Sequence, residues 1–153
     1  MPAPKGNQFW KMVDPNKWAK QKHFKSPQEL WDKACEYFKW CDDNPLIIVD
    51  AAKGGDRFGE HVTIPTSRPY TIHKLCLYLG ISMDTFSNYE KAEGYEAYFG
   101  VTHAIKDIIY SQKFEGAAVG LFNANIIARD LGLTDKQEIT TTKIRVKRRD
   151  VDN

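Results

Sequence analysis

The side chains of this 153-residue chain best suited to hold a metal or attack an electrophile are four histidines, His23, His61, His73 and His103, and three cysteines, Cys35, Cys41 and Cys76. They are scattered. Only His73 and Cys76 share a helical i, i+3 spacing, and one such pair is more often packing than ligation. An odd cysteine count without a CxxC pair supports neither a disulfide framework nor a zinc ribbon, so the three are read as buried free thiols. Lys53-Gly54-Gly55 has the look of a phosphate loop, yet the GxxxxGK[ST] spacing is absent and no helix follows. Nor does any nucleophile have a base beside it, or any acidic cluster metal-ligand spacing. The expectation is a protein without catalytic residues, metal or cofactor.

The chemistry the sequence does offer is that of a polyanion binder. Residues 1–25 carry six basic and one acidic side chain, residues 26–133 ten and fifteen, and residues 134–153 six and four. The basic ends place Lys17, Lys20, Lys22 and Lys25 in an N-terminal arm and Lys143, Arg145, Lys147, Arg148 and Arg149 in a C-terminal tail. Such polarity suits nucleic acid, although charged termini also simply keep a protein soluble. No apolar run is long enough to cross a bilayer and the first ten residues lack a signal-peptide core, which gives the expectation of a soluble, intracellular protein without a membrane partner.

Several elements must position these groups. Residues 1–25 read as an irregular arm docked by Phe9, Trp10 and Trp18. Ser26-Pro27-Gln28-Glu29 opens the first helix with a capping box and a proline at the first helical position. Leu30, Trp31, Ala34, Cys35, Tyr37, Phe38 and Cys41 form its apolar set, and Asp42-Asp43-Asn44-Pro45 ends it. LIIVDA and FGEHVTI then read as a β-hairpin over 46–64, turning at Lys53-Gly54-Gly55-Asp56. Residues 71–91 have the layout of a helix-turn-helix: Thr71 caps a helix facing inward through Ile72, Leu75, Cys76 and Leu79, Gly80-Ile81-Ser82 turns, and a second helix buries Phe86 and Tyr89. The second helix would show Thr85, Ser87, Asn88 and Lys91 to base edges or phosphate, with Asp84 and Glu90 opposing. A hairpin of helices used only for packing fits the same pattern.

From Tyr95 to about Leu131 the pattern is helical in two pieces, bending or continuing near Ser111-Gln112-Lys113. The second piece, FEGAAVGLFNANIIARDLGL, is apolar nearly all round. Two glycines inside a helix cost roughly 1 kcal/mol each against alanine, so Gly116, Ala117, Gly120 and Ala124 are expected to form a ridge for close backbone approach by a neighbouring copy. Asn123 and Asn125 would then pair within one protomer or across subunits, and Arg129 with Asp130 would make an intersubunit or a solvated pair. The last residues alternate Ile144 and Val146 with Lys143, Arg145 and Lys147, a strand pattern with one basic face.

APKGNQFW, FKSPQELWDKACEYFKWCDDNPL and IYSQKFEGAAVGLFNANIIARDLGL, in this order and spacing, resemble the small terminase subunit of headful-packaging tailed bacteriophages over nearly the whole chain. The resemblance implies a mainly α fold: a helical body over 26–133 containing the helix-turn-helix, a projecting β-hairpin, and a short C-terminal strand in the 134–153 tail, assembled into a homo-oligomeric ring, a nonamer. It implies double-stranded phage DNA and the large terminase subunit as partners, action in the host cytoplasm and absence from the mature virion. ATP hydrolysis and DNA cleavage would belong to the large subunit. The tail is either a flexible basic peptide or, as its β-favouring threonines suggest, a barrel strand shared between copies. A dimeric helix-turn-helix transcription regulator and an adaptor that never touches DNA are the rival readings.

Overall fold

Residue 11 and residues 24–134 are described by a computed structural model; the basic tail, with its expected strand, and Lys17, Lys20 and Lys22 of the arm lie outside these residues. The described chain is mainly helical, with five helices and one two-stranded hairpin: α1 (Pro27–Asp43), β1 (Leu46–Ala51), β2 (His61–Thr66), α2 (Ile72–Leu79), α3 (Met83–Lys91), α4 (Glu96–Ala118) and α5 (Ala124–Asp130).

Helix α1 begins where its cap chemistry places it. Ser26 Oγ accepts from Glu29 N at 3.2 Å, and Glu29 Oε2 reaches back to accept from Lys25 N at 2.7 Å, one residue beyond the usual capping-box donor. Leu30, Ala34, Tyr37, Phe38 and Cys41 are buried along one face. Cys35 is exposed, contrary to expectation, because one residue past Ala34 turns it about 100° off that stripe. Cys41 and Cys76 are the buried thiols.

Helix α4, 23 residues and about 35 Å long, is the spine on which α1, α3 and α5 pack. It continues unbroken through Ser111-Gln112-Lys113. Gln112 faces inward and holds the chain leading into α2: its Oε1 accepts from Tyr70 N at 2.9 Å and its Nε2 donates to Arg68 O at 3.0 Å. The core joins Leu30, Tyr37, Leu75, Phe86, Tyr89 and Ile105 into one cluster. Tyr89 and Tyr98 also fix the start of the described body, since Phe24 N donates to Tyr89 Oη at 2.9 Å and Tyr98 Oη donates to Phe24 O at 2.8 Å.

The hairpin pairs antiparallel from Leu46 opposite Thr66 to Ala51 opposite His61. The second strand starts three residues later than the sequence suggested and runs on to Thr66, so Phe58, Gly59 and Glu60 belong to the connecting loop, which contains a single 3-10 turn at Gly55–Arg57. Each strand packs chiefly against the other, leaving Ile48, Val49 and Ile64 exposed.

The expected helix over 114–133 is two helices. Gly120 has φ +78°, a backbone conformation open to glycine at little cost, and the chain turns there. Leu121 N donates to Gly116 O at 2.8 Å and Gly120 N to Ala117 O at 3.1 Å, the paired bonds of a Schellman stop. Asn123 then caps α5, its Oδ1 accepting from Ile126 N at 3.2 Å. Gly116, Ala117, Gly120 and Ala124 are therefore not one ridge on one helix.

Candidate assembly and nucleic-acid surfaces

Two helices separated by a tight turn carry the candidate base-contacting residues. Thr71 caps α2, its Oγ1 accepting from Lys74 N at 3.2 Å. Gly80, at φ +70°, stops it, and Ile81 N donates to Cys76 O at 3.0 Å. Ser82 starts α3, accepting from Thr85 N at 3.0 Å. Phe86 and Tyr89 are buried as the spacing predicts. On the outer side, Asn88 and Lys91 are exposed, whereas Ser87 is half-buried. Thr85 is half-buried too, and its hydroxyl lies 2.9 Å from Ser82 Oγ, which commits it to the cap. Glu90, expected to oppose phosphate, is tied back to α4 by Lys106 Nζ at 2.5 Å. Lys25 is exposed at the root of the arm.

The candidate assembly residues lie at the joint of α4 and α5. Gly116 is buried beneath the ring of Phe122: a Cβ there would collide with Phe122 Cε2 and Cδ2. Its small size thus serves a contact inside the protomer. Ala117 is half-buried, and Gly120, Asn123, Ala124, Asn125, Arg129 and Asp130 are exposed. Asn123 spends its carbonyl on the α5 cap rather than standing as a buried amide. Asp130 pairs with Lys113 Nζ at 2.6 Å and not with its neighbour Arg129. Lys113 is only 7% exposed, a buried ammonium that the sequence did not single out; its partner lies 17 residues on and meets it only because the chain turns at Gly120.

Around this joint the apolar side chains are uncovered: Val119 is 73%, Ile126 64% and Leu121 53% exposed. Tyr110 and Phe114, one helical turn apart on α4, stack in the open with ring centroids 6.1 Å apart and planes within 7°. Beside Tyr110, a cavity of about 560 Å³ opens between the start of α2, the middle of α4 and the end of α5, lined by Thr71, Ile72, His73, Lys106, Ile109, Tyr110, Lys113, Asp130 and Leu131. Among the described residues, no group of three or more His, Cys, Asp or Glu side chains could hold a metal ion, and no helix is long and apolar enough to cross a membrane.

A capped helical body, a pair of short helices with polar residues outward and an uncovered apolar joint together suit a protein that binds and assembles. The chain belongs to the family described as DNA-packaging protein gp3, which it matches over residues 19–139. It is 40% identical over 141 residues to the terminase small subunit of Salmonella phage P22, an alignment spanning 91% of this chain and 82% of that relative. DNA packaging is its function, in agreement with the likeness to small terminase subunits of the stretches that begin at Ala3, Phe24 and Ile109.

Proposed function

We propose that this chain is the small subunit of a phage terminase, a non-enzymatic ring that binds the packaging-initiation region of duplex phage DNA and recruits and regulates the large terminase subunit. The observation that carries the reading is the 40% identity to a small terminase subunit across 91% of the chain. The ring, taken as a nonamer, is supported by the uncovered apolar side chains at the α4–α5 joint, because exposed patches of this kind on a small body call for a protein cover. Neighbouring copies supply it, with Val119, Leu121 and Ile126 at the centre and Arg129 at the margin.

In this reading DNA is held by the basic tail, Lys143, Arg145, Lys147, Arg148 and Arg149, and by the arm through Lys17, Lys20, Lys22 and Lys25. Helix α3 adds Asn88 and Lys91, with Thr85 and Ser87 behind them, as a helix-turn-helix would. The tail also docks the large subunit or closes a small barrel below the ring, and the protein works in the host cytoplasm without entering the mature virion.

Native mass spectrometry of the full chain tests the assembly: a closed ring is expected, and a dimer would favour the transcription-regulator reading instead. Duplex DNA titrated at two salt concentrations tests the phosphate contacts. Affinity should fall steeply with salt, and removing residues 143–153 should lower the slope of log K against log salt by about 0.9 for each phosphate that the shortened chain no longer neutralises. An unchanged slope would take the tail off the DNA.

A further inference from the structure

By its own charges helix α3 is an odd surface for duplex DNA, since Met83–Lys91 holds two carboxylates, Asp84 and Glu90, against one lysine, Lys91. A free carboxylate on a helix that approaches phosphate repels it. The fold deals with the two differently. Asp84 lies in the first turn of α3, where the unpaired N–H groups of the helix end offset a negative charge. Glu90 lies in the last turn, where the helix end is itself negative and adds to the repulsion. Its relief comes from outside the two-helix unit: Lys106 of α4, 16 residues on, donates from Nζ to Glu90 Oε1 at 2.5 Å. Glu90 stands about 100° round the helix from both buried Tyr89 and exposed Lys91, so this bond draws its carboxylate toward α4 and away from the side that carries Asn88 and Lys91.

We propose that Lys106 is a positioning residue for DNA binding: it holds and neutralises Glu90, and so lets α3 meet phosphate, without touching the duplex itself. This rests on the reading of α3 as a DNA-contacting helix and names what makes that helix fit for the task. Fold stability does not account for the pair. The Lys106 and Glu90 side chains are 48% and 28% exposed, and an ion pair so open to water adds little to folding. Helix α3 is held on α4 without it, through buried Phe86 and through Tyr89, whose ring centroid lies 4.7 Å from that of Tyr98. In charge, however, the pair decides the sign of the helix. With Glu90 neutralised, Asp84 and Lys91 sum to zero; with Glu90 released, α3 carries a net −1.

The test titrates the full chain with a mixed-sequence DNA duplex. Lys106→Met keeps the aliphatic stem and should weaken binding about threefold to tenfold at low salt, the effect of one charge facing one or two phosphates at about 7 Å in water. The loss should shrink as salt rises. Adding Glu90→Gln to Lys106→Met should restore native affinity. Adding Glu36→Gln instead, from the exposed Lys33–Glu36 pair on α1, restores the same net charge and should not rescue. Glu90→Gln alone breaks the same tie, so a merely structural role predicts a loss there too; none is expected. If Glu90→Gln fails to rescue, Lys106 contacts phosphate itself, and if Glu36→Gln rescues equally well, only net charge counts; either result overturns the proposal. Binding indifferent to Lys106→Met but weakened by Asn88→Ala or Lys91→Ala would overturn it and leave α3 on the DNA. Indifference to all three substitutions would take α3 off the DNA, and the proposal with it.

Discussion

At the scale of single residues, the two glycines of the α4–α5 joint have different reasons for being glycine. Gly116 lies under the Phe122 ring, so an added methyl must push that ring aside; Gly120 has open space around it but a backbone at φ +78°. Gly116→Ala should therefore destabilise by about 1–3 kcal/mol through overpacking. Gly120→Ala should cost about 1–2 kcal/mol through left-handed strain. Asparagine separates the two mechanisms. It tolerates the left-handed region, so Gly120→Asn should recover part of the loss in urea midpoint, while Gly116→Asn should be worse than Gly116→Ala. Equal responses at both positions would show that one cause governs the joint.

Among the elements, the segment between hairpin and α2 depends on one side chain reaching across from α4. The Gln112 amide satisfies both a backbone N–H and a backbone C=O there, and Arg68 adds a bond from Nε to Asn44 O at 2.7 Å and a stack on Trp40 with its guanidinium carbon 4.9 Å from the ring centroid. Gln112→Ala should cost about 1–3 kcal/mol, the penalty for orphaning partly buried backbone groups. Thermal unfolding followed by intrinsic fluorescence would register it, and a midpoint equal to the native one would mean that water replaces the amide. Helix α1 was legible because cap, proline and apolar stripe all agree, and α2 and α3 for the same reason at Thr71, Gly80 and Ser82. The α4–α5 joint was not. A glycine in an apolar helical pattern means either a close-packed ridge or a left-handed stop, and the spacing of Gly116 and Gly120 fits both; only the backbone turn, completed by the Asn123 cap, decides. The Lys113–Asp130 pair was illegible for a related reason, since it exists only once that turn has folded α5 back.

The whole molecule has a core rich in groups that are neutral only while protonated. Burial raises the Cys76 thiol from 9.0 to about 12 and, as the leading cause in each case, also raises Cys41, Tyr37, Tyr70 and Tyr89; the Asp42 carboxylate, accepting from Tyr70 Oη at 2.7 Å, pushes Tyr70 further. The unfolded chain gives up these protons first, near its ordinary values. Stability from this source is therefore complete below about pH 8.5 and is lost as pH climbs toward 12. Urea midpoints measured at pH 7, 9 and 10.5 should fall in that order, with Cys76→Ala starting lower and falling less. A midpoint constant across this range would mean that the buried groups ionise as readily folded as unfolded.

Helix α4 is gripped by α1, α3 and α5, while the strands of the hairpin rest chiefly on each other. Local opening is cheapest where buried apolar contacts are fewest. The consequence is a molecule with two clocks: the spine exchanges its amide hydrogens only when the entire body unfolds, whereas the hairpin opens and recloses many times in between.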